Sequence, residues 1–196
     1  MKAGVRALGL AESYRGEHST LAGAVVRADR AVDGFVFDTW TVGGTDATDT
    51  AVSVVDRLGR EDVSYVFLSG IAPAWFNLLD VPTVHGRVDR PVLSVSFEAS
   101  PGLEAALREA FSGDALDERL AVYRRQPPRR RVTVNGEAVF VRTAGLEEDA
   151  ADVVRAFTPA GGRPEPLRVA RLAARAADDA FGDGDSGSTG GDGRER

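Results

Sequence analysis

Apolar residues fall along this chain in short runs, broken by glycine, proline and charge, and the spacing within each run predicts its element. Residues 5–10 are a compact apolar run and read as a buried strand. Residues 18–28 follow a Tyr-Arg-Gly turn as a second strand. In 32–42, Val32, Phe35 and Phe37 alternate with polar neighbours, which predicts a third strand. Gly43-Gly44 makes a turn, and Thr45 or Asp46 caps a helix over 47–58. Residues 64–68, β-branched and aromatic, give a fourth strand, and 91–97 a fifth. The segment 74–84 reads as mostly helical, interrupted near Pro82, and 101–111 and 115–124 read as helices. Asn135-Gly136 between 131–134 and 138–141 signals a hairpin, and helices follow over 146–157 and 166–180. Three strands followed by alternating helix and strand predict an α/β domain: an antiparallel meander, then parallel strands with crossover helices.

Pro164 and Pro166 bracket Glu165, so the backbone there is stiff and marks a helix start. Behind them Leu167, Ala170, Leu172 and Ala174 fall near helical spacing, with Arg168, Arg171 and Arg175 three and four residues apart on a ridge. From spacing alone this is a helix with a solvated basic face.

Composition narrows the chemistry. At 196 residues the chain fits one domain, assigned to 1–177, with an acidic, Gly-rich and disordered tail over 178–196. That tail carries six acids and two bases of a chain whose net charge is −6, so the body is close to neutral. A near-neutral body can still hold a local basic surface. There are no cysteines, which excludes disulfides, zinc thiolate sites and cysteine nucleophiles. No apolar run reaches membrane-spanning length and no signal peptide begins the chain, so a cytoplasmic protein without a membrane partner is expected. Lys2 is the one lysine among 24 basic residues. Arginine with abundant acid suggests either a salt-adapted, halophilic surface or a GC-rich genome.

The candidate site residues each have two readings. Asp46 is either a helix cap or an acid of a site, and Glu12 is either a solvated strand-end acid or a ligand. Ser69 beside Gly70 reads as a turn residue; as a nucleophile it lacks a base, because the two histidines, His18 and His85, lie in segments that need not approach it. The run Arg124-Arg125-Gln126-Pro127-Pro128-Arg129-Arg130-Arg131 is the densest basic stretch, either a solvated loop or an extended track along a nucleic-acid backbone. Trp75, with Phe76, follows the fourth strand, either as core or as an aromatic that holds a displaced base.

Several blocks together resemble the endonuclease dU family, archaeal relatives of endonuclease V. They are RALGLAES (6–13), VGGTDAT (42–48), SGIAPAWFNLLD (69–80), PVLSVSFEASPGLEAAL (91–107) and TAGLEEDAADVVRAFTPAGGRPEPLRVAR (143–171). The last contains a segment similar to the PEPLR-x-AH start of that family's final helix. The resemblance spans 3–177 and implies an RNase H-like mixed sheet with helices on both faces. A Rossmann-like sheet is the rival, but no G-x-G-x-x-G follows the first strand.

The resemblance also implies a function: cleavage of DNA (possibly RNA) with deaminated bases such as deoxyuridine, using Mg2+ or Mn2+ on carboxylates at strand ends. Three of the implied ligand positions are altered. The first-strand motif Gly-Ile-Asp-Asp-Ser is here Gly9-Leu10-Ala11-Glu12-Ser13, the fourth strand ends in Ser69-Gly70 in place of Asp-Gly, and the last-helix His is Arg171. Two readings follow. In one, Glu12 and Asp46, with Asp38 or Asp49, form a rebuilt catalytic metal site. In the other, catalysis is lost and Arg168, Arg171, Arg124, Arg125, Arg129, Arg130 and Trp75 bind nucleic acid. A protein-interaction module is a third.

Overall fold

The computed structural model describes residues 1–15 and 18–181. β1 (Arg6–Arg15), β2 (His18–Arg27) and β3 (Val32–Thr41) form the antiparallel meander. α1 (Ala47–Leu58) crosses to β4 (Val63–Ser69), which pairs parallel with β1. A single turn, α2 (Pro73–Phe76), and α3 (Val81–Val88) lead to β5 (Val92–Ser96), parallel to β4. α4 (Glu104–Ala110) and α5 (Gly113–Arg124) then precede the hairpin of β6 (Arg130–Val134) and β7 (Glu137–Ala144). β7 runs antiparallel against β5, so the sheet order is β3-β2-β1-β4-β5-β7-β6. α6 (Ala150–Ala156) and α7 (Glu165–Phe181) close the described chain.

The strands sort their side chains by parity. Leu8, Leu10, Val66 and Leu68 pack with Val54 of α1 and Val81 and Val84 of α3. Ala7, Phe67, Leu93, Val95 and Val141 pack on the other face with Val153, Val154 and Phe157, and with Leu167 of α7. Covered on both faces, β4 and β5 read as continuous apolar runs, as parallel strands do. α7 lies so close to β1 that a Cβ on Gly9 would sit 2.3 Å from the Pro166 carbonyl carbon. Glycine at that position is what lets the proline-stiffened helix start dock.

Two sequence expectations need correction. β1 continues past residue 10 to Arg15, because Glu12 and Ser13 stay in register with Leu21 and Thr20 of β2. The segment 74–84 is not one interrupted helix: α2 is left-handed, α3 begins only at Val81, and Pro82 sits in its first turn, where its missing N–H costs nothing. α7 extends to Phe181, and the stretch 182–196 of the acidic tail lies outside the described residues. Among the described residues no helix is long and apolar enough to cross a membrane.

Candidate nucleic-acid interface

Adjacent residues of β1 face opposite ways. Ala11 is buried with Ala24, Val26 and Ala170 of α7. Glu12 faces the α1 side, where its carboxylate accepts from the Ser19 hydroxyl (2.6 Å), the Trp40 indole N–H (3.0 Å) and the Ala74 amide (3.0 Å). Asp46 precedes α1 but does not cap it. Its carboxylate turns back to accept from the Thr41 amide (3.1 Å) and hydroxyl (3.1 Å) and from the Asn77 side chain. Asn77 supplies the cap instead, its carbonyl accepting from the Ala47 amide at 2.9 Å. Both acids therefore hold loops together around α2.

α2 has the most unusual backbone among the described residues. Ala74, Trp75 and Phe76 all have positive φ, at 43°, 54° and 61°. Left-handed geometry costs about 1–2 kcal/mol per non-glycine residue, so three in succession need support from outside the turn. Glu12 supplies it at the Ala74 N–H, and the Ala74 carbonyl accepts from the Gly43 amide at 2.7 Å. Arg119, buried and stacked 4.0 Å over Phe111, donates to the carbonyls of Phe76 (3.3 Å), Gly43 (2.5 Å) and Gly44 (3.1 Å). Trp75 is nonetheless 55% exposed.

Beside this turn, where the parallel strands end, lies a cleft of about 460 Å³. Its wall begins with Ser69, Gly70, Ile71 and Ala72, and β5 adds Ser94 and Ser96. Among the described residues four arginines from separate segments line it, Arg129, Arg142, Arg163 and Arg171, against one acid, Glu98. Arg129 lies 4.1 Å over Phe140 and donates to the Ser96 hydroxyl (3.0 Å) and the Glu98 carbonyl (2.5 Å). Arg163 lies 4.1 Å over Phe97. Stacking fixes the planes of these two guanidinium groups without neutralising them.

The cleft's cations are also in conflict with one another. Burial, together with the neighbouring Arg171 and Arg175, pushes the Arg163 pKa down. Burial and the nearby Arg142 do the same to Arg129. Among the described residues none of the four is ion-paired with a carboxylate. Arginine keeps its proton in proteins, so the cleft lining stays cationic. Serine hydroxyls beside planar forks suit a phosphate group.

The remaining candidates are placed differently. Arg124 pairs with Glu104 (2.7 Å), Arg125 with the buried Asp80 (2.7 Å), and Arg168 with Glu165 (2.5 Å). Arg130 is exposed at the start of β6. The arginine-rich run is therefore no single track: its Arg124 and Arg125 end α5 in ion pairs, and only Arg129 reaches the cleft. Sequence reasoning missed Arg142 and Arg163. Arg163 had a signal, since it precedes Pro164 in the same proline-bracketed motif; Arg142 had only strand parity, which gives a face and not a destination.

The donor set does not suit a hard divalent cation. Such an ion takes several anionic oxygens at once. Among the described residues no three His, Asp or Glu side chains gather so as to hold a metal ion. Of the altered positions Ser69 and Arg171 line the cleft, whereas Ala11 is buried against α7. Asp38 pairs with Arg57 at 2.8 Å, and Asp49 with Arg87, so neither joins Glu12.

Comparison with known proteins agrees with this fold. A UPF0215 protein of Pyrobaculum calidifontis is 36% identical over 172 residues, covering 85% of this chain and 93% of its own. UPF0215 protein TK2033 of Thermococcus kodakarensis is 34% identical over 163 residues, 82% of each. A crystal structure of a protein of unknown function from Archaeoglobus fulgidus superposes with a TM-score of 0.77 at 29% identity, covering 87% of this chain and 96% of that one. Endonuclease V from Ciona intestinalis, crystallised with inosine-containing DNA, superposes with a TM-score of 0.59 at 10% identity over 90% of this chain and 86% of its own. That likeness establishes the RNase H-like architecture. The family model for endonuclease dU matches residues 3–178, and the chain belongs to the endonuclease dU family.

Proposed function

We propose that this protein binds the phosphate backbone of nucleic acid in the arginine-lined cleft and does so without a divalent metal. The observation that carries the reading is the convergence of Arg129, Arg142, Arg163 and Arg171, the first three held by rings or carbonyls and none ion-paired with a described carboxylate. The cleft lies where Ser69 and Arg171 replace the family's expected Asp and His. A cation at a former ligand position repels a divalent ion and attracts a phosphate. Arg163 neighbours Arg171 and Arg129 neighbours Arg142, and a backbone held among them exchanges repulsion for charge-assisted hydrogen bonds.

Family membership favours a second reading, metal-dependent cleavage of DNA carrying deaminated bases. In that case Glu12 and Asp46 would have to leave their present hydrogen bonds to reach Mg2+ or Mn2+. One experiment separates the readings. Uracil-containing and undamaged DNA are incubated with the protein at low and high salt, with EDTA, Mg2+ or Mn2+. The expected result is binding that EDTA leaves intact, salt weakens and Arg171→Ala diminishes, with no nicking. Magnesium-dependent nicking abolished by Asp46→Ala would establish the enzyme instead, and absence of binding at low salt would sink both.

A further inference from the structure

We infer that α2 is a stacking platform for an unpaired nucleobase, with Trp75 as the contact surface and Glu12 as its positioning residue. The inference rests on the proposed phosphate-binding cleft and adds what kind of nucleic acid it takes. The chain contains two tryptophans with opposite fates. Trp40 is 3% exposed and donates its indole N–H to Glu12; Trp75 is 55% exposed. One side of the Trp75 ring is seated so closely on Gly43 that a Cβ there would lie 2.7 Å from Trp75 Cε3. Phe111 flanks it at 5.1 Å and 50°, and Phe76 at 6.1 Å and 61°. The ring is thus backed and edged by protein while much of its surface stays open.

This exposure is imposed by the backbone. Three consecutive left-handed residues, none of them glycine, persist only where their surroundings over-determine them. Here the Glu12 carboxylate, the Gly43 amide and the Arg119 guanidinium all grip the turn. A tryptophan needed only for packing requires no such support. The cleft wall ends at Ala72, and α2 begins at the next residue. The platform thus borders the cleft wall, and a strand held by a phosphate in the cleft has Trp75 as the adjoining exposed ring for a neighbouring base. Bases within a duplex already have both faces stacked, so an open indole face selects single strands or extruded bases.

The test uses the full chain with oligothymidylate of roughly 12 nucleotides and a matched duplex, following tryptophan fluorescence. Wild-type protein is expected to lose Trp75 emission on binding the single strand and little on binding the duplex. Trp75→Ala should weaken single-strand binding about tenfold, in keeping with one base–aromatic stack, leaving duplex affinity and salt dependence unchanged. Trp75→Phe should recover part of the loss. Glu12→Gln should reduce single-strand preference in the wild-type background and have no further effect beside Trp75→Ala. Circular dichroism and melting confirm that each variant is folded, and Trp75→Phe remains informative if Glu12→Gln is not. Single-strand affinity unaffected by Trp75→Ala, or equal loss for both nucleic acids, overturns the platform while leaving the cleft standing. Loss of all binding in the wild type instead refutes the proposed function.

Discussion

Two groups of charged side chains sit around the ends of the parallel strands, and their surroundings treat them oppositely. Glu12 and Asp46 are each enclosed by donors: Ser19, Trp40 and Ala74 for the first, Thr41 and Asn77 for the second. Arg129, Arg142 and Arg163 meet rings or carbonyls and Arg171 neighbours Arg163, with Glu98 the one acid among the described residues of the lining. Charge alone does not make a site. A carboxylate whose lone pairs are already used acts as a brace, whereas a guanidinium held in place but not neutralised has donors left to offer. On the proposed reading the acids serve stability and the cations recognition, and each assignment can be broken separately.

The largest expected effect is on the acidic side. Glu12→Ala strands the Trp40 indole N–H and the Ala74 amide, while the Ser19 hydroxyl keeps the Ser13 carbonyl as its acceptor at 3.1 Å. Each unsatisfied buried group costs about 1–3 kcal/mol, and partial hydration lowers the sum, so a loss of about 3 kcal/mol is expected in urea unfolding. If Glu12 were instead a ligand held in readiness, its removal would leave stability nearly unchanged and abolish a measurable magnesium affinity. Calorimetry with Mg2+ alone distinguishes these outcomes.

A smaller effect belongs to the cleft. On the proposed reading Arg171→Ala removes one phosphate contact, so the slope of log affinity against log salt should fall by about 1, with affinity reduced roughly five- to tenfold at moderate salt. Stability should hold or rise slightly, because Arg163 loses a like-charged neighbour. A variant that unfolds more readily and binds with an unchanged salt slope would move Arg171 from recognition to structure.

These outcomes bear on how much of the molecule the sequence disclosed. Strand parity and helix spacing gave the sheet, since covering both faces of β4 and β5 leaves a local apolar signature. The proline-bracketed start of α7 was visible because proline restricts backbone whatever the tertiary context. α2 was not visible: Ala74, Trp75 and Phe76 ordinarily read as helix, and their left-handed turn exists only because Glu12, Gly43 and Arg119 converge from three other segments. The cleft was half legible for the same reason. Arg171 stood out at an altered motif position, while Arg142 and Arg163 reach the cleft only when β7 and the segment before α7 are brought together.

The finest division lies within α7 itself, where Arg168 and Arg171 are three residues apart and were equal candidates. Arg168 donates to Glu165 through Nε (2.7 Å) and Nη2 (2.5 Å), an i,i+3 pair at the helix start. That hydrogen bond is the main cause holding the Glu165 carboxyl below its ordinary range. Because the folded-state pKa is depressed, the pair's contribution is present above the ordinary carboxylate pKa and fades as pH falls through the lowered value. Arg168→Ala should therefore cost only about 0.5 kcal/mol at neutral pH, as expected for a pair whose arginine is half-exposed, and the gap from wild type should close in acid. Glu165 stays favourable at the helix N-terminus without it. Since Arg168 already has its carboxylate, the salt slope of nucleic-acid binding should not change. A slope reduced as much as by Arg171→Ala would show that phosphate displaces Glu165, and the contrast between braced and free charge would then fail inside a single turn of helix.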